Sequence, residues 1–285
     1  MLAADFSYDG HLLSDFGYMI CSFESEDLDE VSAGAVLTFN KVARHSGRKY
    51  DLVGTTFDEC IEVTFDICKD ICKDGNTITD SDDLIMTSTE FRALMLWLNR
   101  QEFLETYFVY DDNNTDDREI CYYDASFNVS KISANGVIYG ARLTMETNRP
   151  YGYGKRHTGD MMSMSHTTEV HKYTIDYEAN DVGFVYPTME IEMSEDGDFS
   201  MVITLGDDTL SETEILNCVE GEVINIDGDT RIISTSESGH NIANDFNFDY
   251  PIIGRTYDNC ENIVTTTILC NAAYEYHNVI KDTPD

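Results

Sequence analysis

A single stretch of this chain, residues 88–110, predicts an α-helix, whereas the other periodic segments predict strands. Its first part repeats apolar residues at spacings of three and four, which places them on one helix face: Phe91, Leu94, Met95 and Leu98. One helix in an otherwise β domain buries such a stripe against a sheet. The helix therefore constrains the architecture of the whole first half of the chain.

Both ends of this helix carry sequence signals. Thr87 followed by Glu90 fits a capping box, in which each side chain satisfies a backbone donor of the first turn. Residues 103–110 are rich in β-branched and aromatic side chains, which favour a strand. We expect the helix to span residues 88–99 and a strand to follow it.

Trp97 is the only tryptophan of the chain. Its size and its place beside the apolar stripe favour a core anchor over a ligand-stacking role. Four side chains are expected to anchor the helix in the core: Phe91, Leu94, Trp97 and Leu98.

Apolar and polar residues alternate elsewhere in the first half, with turn signals between the runs. Asn135-Gly136 is the strongest of these signals, and Asp9-Gly10 is a second one. The predicted strands lie at residues 6–8, 12–23, 36–39, 61–67, 103–110, 121–129 and 137–147.

Residues 148–156 combine a proline, two glycines and a change in charge density, which makes them the best candidate for a domain boundary. The sequence predicts a first domain over residues 1–150, a linker over residues 151–156 and a second domain over residues 157–285. Pro150, Gly152 and Gly154 are the candidate hinge residues.

The second half shows short alternating runs separated by turns about every ten residues, and no helix is predicted there. This pattern indicates an antiparallel β-sandwich or jelly roll. The predicted strands lie at residues 173–177, 189–193, 199–204, 224–226, 231–233, 262–269 and 272–280. The expected fold class is mainly β, with a sandwich or barrel-like first domain covered by one helix and a second sandwich.

The chain carries 54 acidic and 18 basic residues, for a net charge of −36. Phosphate binding needs cations, so nucleic-acid binding and association with an anionic membrane are disfavoured. No apolar run reaches the length of a membrane span, and no basic leader is present, so we expect a cytoplasmic protein without membrane insertion. The eight cysteines are expected to be structural thiols.

A basic island interrupts this acidic background: Lys41, Arg44, Arg48 and Lys49, with His45 between them. Two interpretations stay open. The island is either a solvated loop or a docking surface for an acidic partner, including a neighbouring copy of the chain.

No pattern in the sequence indicates catalysis, a metal site or a cofactor. Residues 111–117 resemble a calcium loop but lack its glycine and its final glutamate. Cys68 and Cys72 have no second pair, and His166 and His171 would point to opposite faces of a strand. Nucleophile elbows and phosphate-binding loops are missing, so the chain is not expected to be an enzyme.

Several motifs, taken in order and spacing along nearly the whole chain, resemble the distal tail proteins of siphophages. In the first half they are Phe6-x-Tyr8-x-Gly10, Asp15-Phe16-Gly17, the helix from Phe91 to Leu98, Tyr122-Tyr-Asp-Ala125 and Arg149-Pro150-Tyr151. In the second half they are Asn180-x-x-Gly183, Pro187-Thr-Met-Glu-Ile191 and Tyr250-Pro251-Ile-Ile-Gly254.

This resemblance implies a homohexameric ring, with stacked rings as a further possibility, at the tip of a virion tail after assembly in the host cytoplasm. The first domain would form the ring between the tail-tube protein and the tail-tip or tail-associated protein, with the tape-measure protein as a further candidate partner. The second domain would be a galectin-like sandwich. One departure is that residues 255–261 separate Gly254 from Asn262, whereas the family tends to place an asparagine directly after that glycine.

The alternative function is a carbohydrate-binding module for host attachment, with Tyr173, Tyr177 and Tyr186 as candidate stacking residues. Fold likeness alone is a weak argument for it, and buried tyrosines are common in β cores. A hydrolase is the third interpretation and has no residue set to support it.

If the basic island contacts a neighbouring copy, reversing its charge weakens the ring. The double variant Arg44→Glu with Arg48→Glu is expected to shift the native mass of the assembly towards the monomer in light scattering. An unchanged hexamer in the double variant would remove this interpretation of the island.

Overall fold

The computed structural model describes residues 3–23, 37–43, 50–57, 60–70, 81–110, 120–161 and 172–281. By its internal contacts the chain divides into two compact units, residues 1–154 with 280–285 and residues 155–279. Each unit has its own apolar core. Strands dominate both units, so the predicted mainly β fold class is confirmed.

The first unit contains one α-helix among its described residues, α1 (Ser88–Leu98), and 3-10 turns at Leu13–Phe16 and Ser81–Leu84. Its strands are β1 (Ala3–Tyr8), β2 (His11–Leu12), β3 (Tyr18–Cys21), β4 (Leu37–Ala43), β5 (Tyr50–Phe57), β6 (Glu62–Lys69), β7 (Leu104–Tyr110), β8 (Tyr122–Ala134), β9 (Val137–Thr147) and the start of β10 (Gly152–Met161).

Seven of these strands follow one antiparallel path, β2-β1-β7-β8-β9-β6-β3. The long strand β8 makes this path continuous, because its first residues pair with β7 and its remainder pairs with β9. Side chains from β1, β6, β7, β8 and β9 all meet in a single core cluster. The sheet therefore wraps round one core, as a barrel-like domain would.

Helix α1 covers this core, as the sequence predicts. Thr87 Oγ1 accepts from the Glu90 backbone N–H at 3.2 Å, and the Glu90 carboxylate accepts from the Thr87 N–H at 2.7 Å, which completes the capping box. The structure places all four predicted anchors in the core: Phe91, Leu94, Trp97 and Leu98. Trp97 stacks on Phe6 with ring centroids 5.8 Å apart, and its indole N–H donates to the Tyr8 carbonyl at 3.1 Å.

Both predicted turns have the left-handed backbone that their sequences favour. Asp9 and Gly10 have φ of 53° and 74°, and Asn135 and Gly136 have φ of 51° and 81°. These values suit two-residue hairpins whose twist matches that of the flanking strands. The strand predicted over residues 12–23 is wrong in its middle, where a 3-10 turn ends at Gly17 with φ of 79°. The chain resumes as β3 only after that turn.

Strands β4 and β5 form a sheet of their own and pair with each other along their whole length. In the part of the chain that the structure describes, neither strand pairs with the seven-stranded path. The residues between them, 44–49, lie outside the described residues. We call this pair the hairpin.

Most of the predicted linker is part of a β-strand in the structure. Residues 152–156 belong to strand β10, where Tyr153 pairs with Tyr122 of β8. Gly152 and Gly154 are buried, and Pro150 is half-buried. A Cβ on Gly152 would stand 2.2 Å from the Cys121 sulfur, so close packing requires glycine here. The hinge and the boundary at residues 151–156 stay predictions.

The second unit has one short helix among its described residues, α2 (Ile242–Asp245). Its remaining elements are the later part of β10 and the strands β11 (Lys172–Asp176), β12 (Gly183–Val185), β13 (Thr188–Met193), β14 (Gly197–Leu205), β15 (Asp208–Cys218), β16 (Val223–Asp227), β17 (Ile232–Thr235), β18 (Ile253–Arg255), β19 (Glu261–Thr266) and β20 (Cys270–Ile280).

One sheet of this unit has the order β11-β19-β14-β15, and the other has the order β17-β16-β13-β20-β10. Strands β12 and β18 form a separate pair. The inner faces of the two sheets meet in one apolar cluster, which is the arrangement of a β-sandwich. The sandwich agrees with the expectation for the second domain, and its galectin-like character stays a prediction.

The expectation of no helix in this half is wrong for α2, a single turn at residues 242–245. Strand β15 was also missed. Its inward face carries Ser211 and Thr213, which are buried but polar. Ser211 Oγ accepts from the Ile252 N–H at 3.1 Å, and Thr213 Oγ1 donates to the Asp249 carbonyl at 2.8 Å. Hydrogen bonds to a neighbouring loop replace the apolar pattern that marks other strands.

Asn262 occupies the place where the sequence departs from the distal tail family. Its side chain is fully buried, with Oδ1 accepting from the Gly254 N–H at 2.8 Å and Nδ2 donating to the Gly254 carbonyl at 2.9 Å. Nδ2 also lies within hydrogen-bond distance of the carbonyls of Ile175 and Cys260. The eight-residue separation in sequence therefore still brings an asparagine onto this glycine.

We predict that Asn262→Ala lowers the free energy of unfolding of the second unit by about 2–4 kcal/mol, because it leaves several buried backbone groups unpaired. Urea unfolding of the full chain, followed by circular dichroism, measures this change. Asn225→Ala is the matched control, since Asn225 is exposed on β16 and should cost less than about 0.5 kcal/mol. Equal effects of the two variants would contradict the bracing role of Asn262.

Candidate functional site

The hairpin carries the most conspicuous exposed apolar surface of the first unit. Five of its side chains are more than half exposed, with fractions from 51% to 69%, and we call them the hairpin surface: Phe39, Val42, Tyr50, Leu52 and Val53. They come from both strands of a two-stranded sheet. By the register of the pair, Phe39, Tyr50 and Leu52 share one face of this sheet, and Val42 lies on the other. Exposed apolar side chains grouped on one face are typical of protein interfaces.

An isolated two-stranded hairpin is marginally stable in water. The described hairpin residues nevertheless form a ladder, with Val42 opposite Asp51 and Lys41 opposite Leu52, which is interrupted by one bulge at Val53. Such a ladder, with its apolar side chains in solvent, gains most from a surface that covers it. The arrangement is suited to docking and offers no chemistry.

One member of the basic island lies on the hairpin. Lys41 is exposed on β4, with its ammonium 5.7 Å from the centre of the Phe39 ring. Arg44, Arg48 and Lys49 lie outside the described residues. The structure therefore places one member of the island beside the hairpin surface, and the role of the other three stays a prediction.

A second exposed surface is the outer side of α1 and the turn that follows it. Leu96 is 77% exposed and lies in an open groove whose lining includes Arg92, Asn99 and Arg100. The Arg100 guanidinium donates to the Asp9 carboxylate at 3.1 Å. This groove combines an apolar centre with cations in a chain that has few of them.

The second unit contains a buried polar network. Glu222 is fully buried, and its carboxylate lies 2.5 Å from His240 Nδ1, accepts from the Val219 N–H at 3.1 Å and accepts from the Thr235 hydroxyl. His240 Nε2 lies 3.4 Å from the Asp245 carboxylate on α2. Burial alone would raise the pKa of Glu222, but these donors outweigh it and hold the pKa below its usual range.

This network has no nucleophile to activate. Burial and the nearby Glu222 carboxylate raise the pKa of the Cys218 thiol to about 12, so the thiol stays protonated. Across the described residues, no group of three or more histidine, cysteine or acidic side chains is placed to hold a metal ion. The network fits a structural role, which is to fix the loop before β16 against β17 and α2.

The three tyrosines considered for sugar stacking all have contacts within the second unit. Tyr177 is 1% exposed, so its ring faces the core. The Arg231 guanidinium covers the Tyr186 ring at 4.6 Å, and Tyr173 packs edge-on against Tyr274. The contacts of these three rings are internal.

Among the described residues, no helix combines the length and the apolar character that a membrane span needs.

Two family profiles cover most of the sequence. Residues 1–149 match the profile described as a phage tail protein N-terminal domain, and residues 151–276 match the one described as a phage tail C-terminal domain. The chain belongs to this family of phage tail proteins. The tail protein is thus a structural, non-enzymatic component of a virion tail.

A solved structure shares the fold of the tail protein. The tail protein matches SPP1 Dit, described as a paradigm of the hub adsorption apparatus in phages that infect Gram-positive bacteria, with a TM-score of 0.62 at 11% identity over 96% of this chain and 98% of that one. A chain of the phage P2 baseplate in its activated, calcium-containing conformation matches with a TM-score of 0.47 at 9% identity, over 99% of this chain and 100% of that one. No curated protein sequence matches the tail protein. The resemblance to distal tail proteins is confirmed.

Sequence reasoning found the tail family and the basic island but missed the hairpin surface. Strand β5 was not predicted, because its apolar Leu52 and Val53 are adjacent and Gly54 follows them, so no alternation is visible. The β-branched and aromatic content of Tyr50–Phe57 was the available signal.

We predict that Glu222→Gln removes part of the acid sensitivity of the second unit. Because the pKa of Glu222 is lowered on folding, its ionised form stabilises the native state above about pH 4.5, and this contribution is lost as the pH falls through the lowered pKa. The wild type should therefore lose more unfolding free energy between pH 6 and about pH 3 than the variant does, by about 1–2 kcal/mol.

Urea unfolding at the two pH values measures this difference. Glu190→Gln is the control, because Glu190 is an exposed residue of β13. An identical pH dependence in the wild type and Glu222→Gln would show that the network contributes nothing to acid sensitivity.

Proposed function

We propose that the tail protein forms a homohexameric ring at the distal end of the tail, where it joins the tail tube to the tail-tip or tail-associated protein and lets DNA pass. Residues 1–150 build the ring and residues 157–285 project from it. Assembly takes place in the host cytoplasm. The tail-tube protein is the proposed partner on one side of the ring, and the tape-measure protein is a further candidate.

The hairpin surface is the observation that carries this proposal. A two-stranded sheet with five exposed apolar side chains has the composition of an interface and not of a free surface. A neighbouring copy is the simplest partner, because in a cyclic ring one surface of each subunit contacts a different surface of the next. The hairpin would supply one of these two surfaces.

The net negative charge of the subunits opposes this assembly. Copies that each carry a net charge of −36 repel one another. Apolar contact at the hairpin, together with the cations of the basic island, offsets that repulsion locally. The same acidity serves the finished ring, because a lumen wall without cations does not retain the phosphates of passing DNA.

The ring is tested by the native mass of the purified full-length protein in light scattering, followed by negative-stain imaging of the same peak. We expect a hexamer mass and ring-shaped particles. If the protein is a monomer, co-purification with the tail-tube protein shows whether the ring closes only on the tube. A monomer that also fails to bind the tail-tube protein contradicts the proposal.

We further predict that Leu52→Glu combined with Val53→Glu disrupts the ring. Burying two such side chains contributes about 3 kcal/mol to a contact, so the association constant should fall on the order of 100-fold. Sedimentation velocity over a range of protein concentrations measures this change.

Val182→Glu combined with Phe184→Glu is the matched control. These residues are 62% and 60% exposed in the second unit, and the variant adds the same two charges. It should keep the association constant of the wild type. Equal losses in both double variants would assign the effect to added charge and not to the hairpin.

A further inference from the structure

Two thiols lie side by side on the seven-stranded sheet of the first unit. In the ladder between β3 and β6, Met19 is opposite Cys68, and Cys21 is opposite Asp66. Directly opposed residues share a face of the sheet, and so do residues two apart on one strand. Cys21 and Cys68 are therefore diagonal neighbours on one face.

That face points away from the core. Ile20 and Ile67, the opposed pair between the two cysteines, point to the other side, where Ile67 is fully buried in the core cluster. Cys21 and Cys68 themselves are only half-buried. Small thiol reagents can therefore reach them from the outer face of the sheet.

The two side chains also interact. The Cys21 thiol and the Cys68 sulfur are in hydrogen-bond contact. This hydrogen bond, with burial, raises the pKa of Cys21, and the same bond lowers the pKa of Cys68. In this hydrogen bond the Cys21 S–H donates and the Cys68 sulfur accepts, which favours the thiolate on Cys68.

We propose that Cys21 and Cys68 form a reversible disulfide with a low-molecular-weight disulfide, such as glutathione disulfide, as the oxidant. The disulfide would close once the tail protein leaves the reducing host cytoplasm, and this timing rests on the proposed function. It would crosslink strand β3 to strand β6.

The reaction balances in two exchange steps. The Cys68 thiolate attacks one sulfur of glutathione disulfide, which forms a mixed disulfide and releases one glutathione thiolate. The Cys21 sulfur, after losing its proton, attacks the Cys68 sulfur and releases the second glutathione. The two protein thiols lose two electrons, one molecule of glutathione disulfide gains them, and the two thiol protons end on the two glutathiones.

The geometry explains why this bond would be reversible. Diagonal neighbours in antiparallel strands have Cα atoms about 7–8 Å apart, somewhat more than an unstrained disulfide spans. Closing the bond requires β3 to move towards β6. Among the described residues β3 pairs only with β6, so this edge strand can adjust, and the remaining strain keeps the bond reducible.

The crosslink would act on the hairpin. Residues 21 and 68 flank the segment that contains β4 and β5, so the disulfide ties the two ends of that segment together. Because a crosslink restricts the unfolded chain, the oxidised protein should also melt at a higher temperature. The assembled particle would carry a hairpin with a fixed base.

The test exposes the purified full-length protein to glutathione disulfide, blocks the remaining thiols with N-ethylmaleimide and maps the peptides by mass spectrometry. The wild type should yield a Cys21–Cys68 linked peptide, which dithiothreitol removes. In Cys21→Ser a glutathione adduct should accumulate on Cys68, because the resolving thiol is missing. In Cys68→Ser the linked peptide should be missing, and any glutathione adduct on Cys21 should persist, because the second thiol is missing.

Cys60→Ser serves as the control, because Cys60 is exposed and has no part in the pair. It should leave the linked peptide unchanged. The proposal is overturned if both thiols remain open to N-ethylmaleimide while Cys60 is glutathionylated, or if Cys68 links to another cysteine such as Cys72. This readout does not depend on ring formation, so it fails or succeeds separately from the proposed function.

Discussion

The contact of Trp97 with the first strand holds the first unit together. The Trp97 ring stacks on Phe6, and its indole N–H donates to the carbonyl of Tyr8. Ring packing and a directional hydrogen bond therefore together fix the helix to β1. Phe16 also stacks on the indole, with centroids 4.4 Å apart. Without this contact the apolar stripe of α1 and the inner side of the sheet would both face water.

The second unit depends more on buried polar groups. Asn262 satisfies both backbone groups of Gly254, and Glu222 collects donors from three directions. Buried polar groups of this kind cost stability when unpaired, so they favour one arrangement of the loops over others. Neither group is placed beside a reactive nucleophile. Both fit the structural role shown by the membership in a phage tail family.

The sequence predicted those elements whose signal is local. The Asn135-Gly136 hairpin, the capping box of Thr87 and Glu90 and the Trp97 anchor all depend on residues close together in the chain, and the structure contains each of them. Elements defined by distant partners were missed or misjudged. Strand β15 presents buried hydroxyls that bond to a loop far along the chain. The close approach of the Cys121 sulfur to Gly152 also depends on a distant partner, and no local signal in the sequence indicates it.

The candidate site, too, could be predicted only in part from the sequence. Lys41 and its basic neighbours were visible as an island of charge, but the hairpin surface became visible only when β4 and β5 were seen to pair with each other alone. Exposure is a property of the folded chain, and no residue pattern in Tyr50–Phe57 marks it. Pairing partners cannot be read from one strand.

The central claim is that the hairpin surface is covered when the tail protein assembles. Amide hydrogen exchange measures this directly when the assembled wild type is compared with a monomeric form of the same chain. The account predicts slow exchange of the β4 and β5 amides in the assembly and fast exchange in the monomer, with the core strand β9 equally slow in both. Hairpin amides that exchange at the same rate in both forms would contradict it.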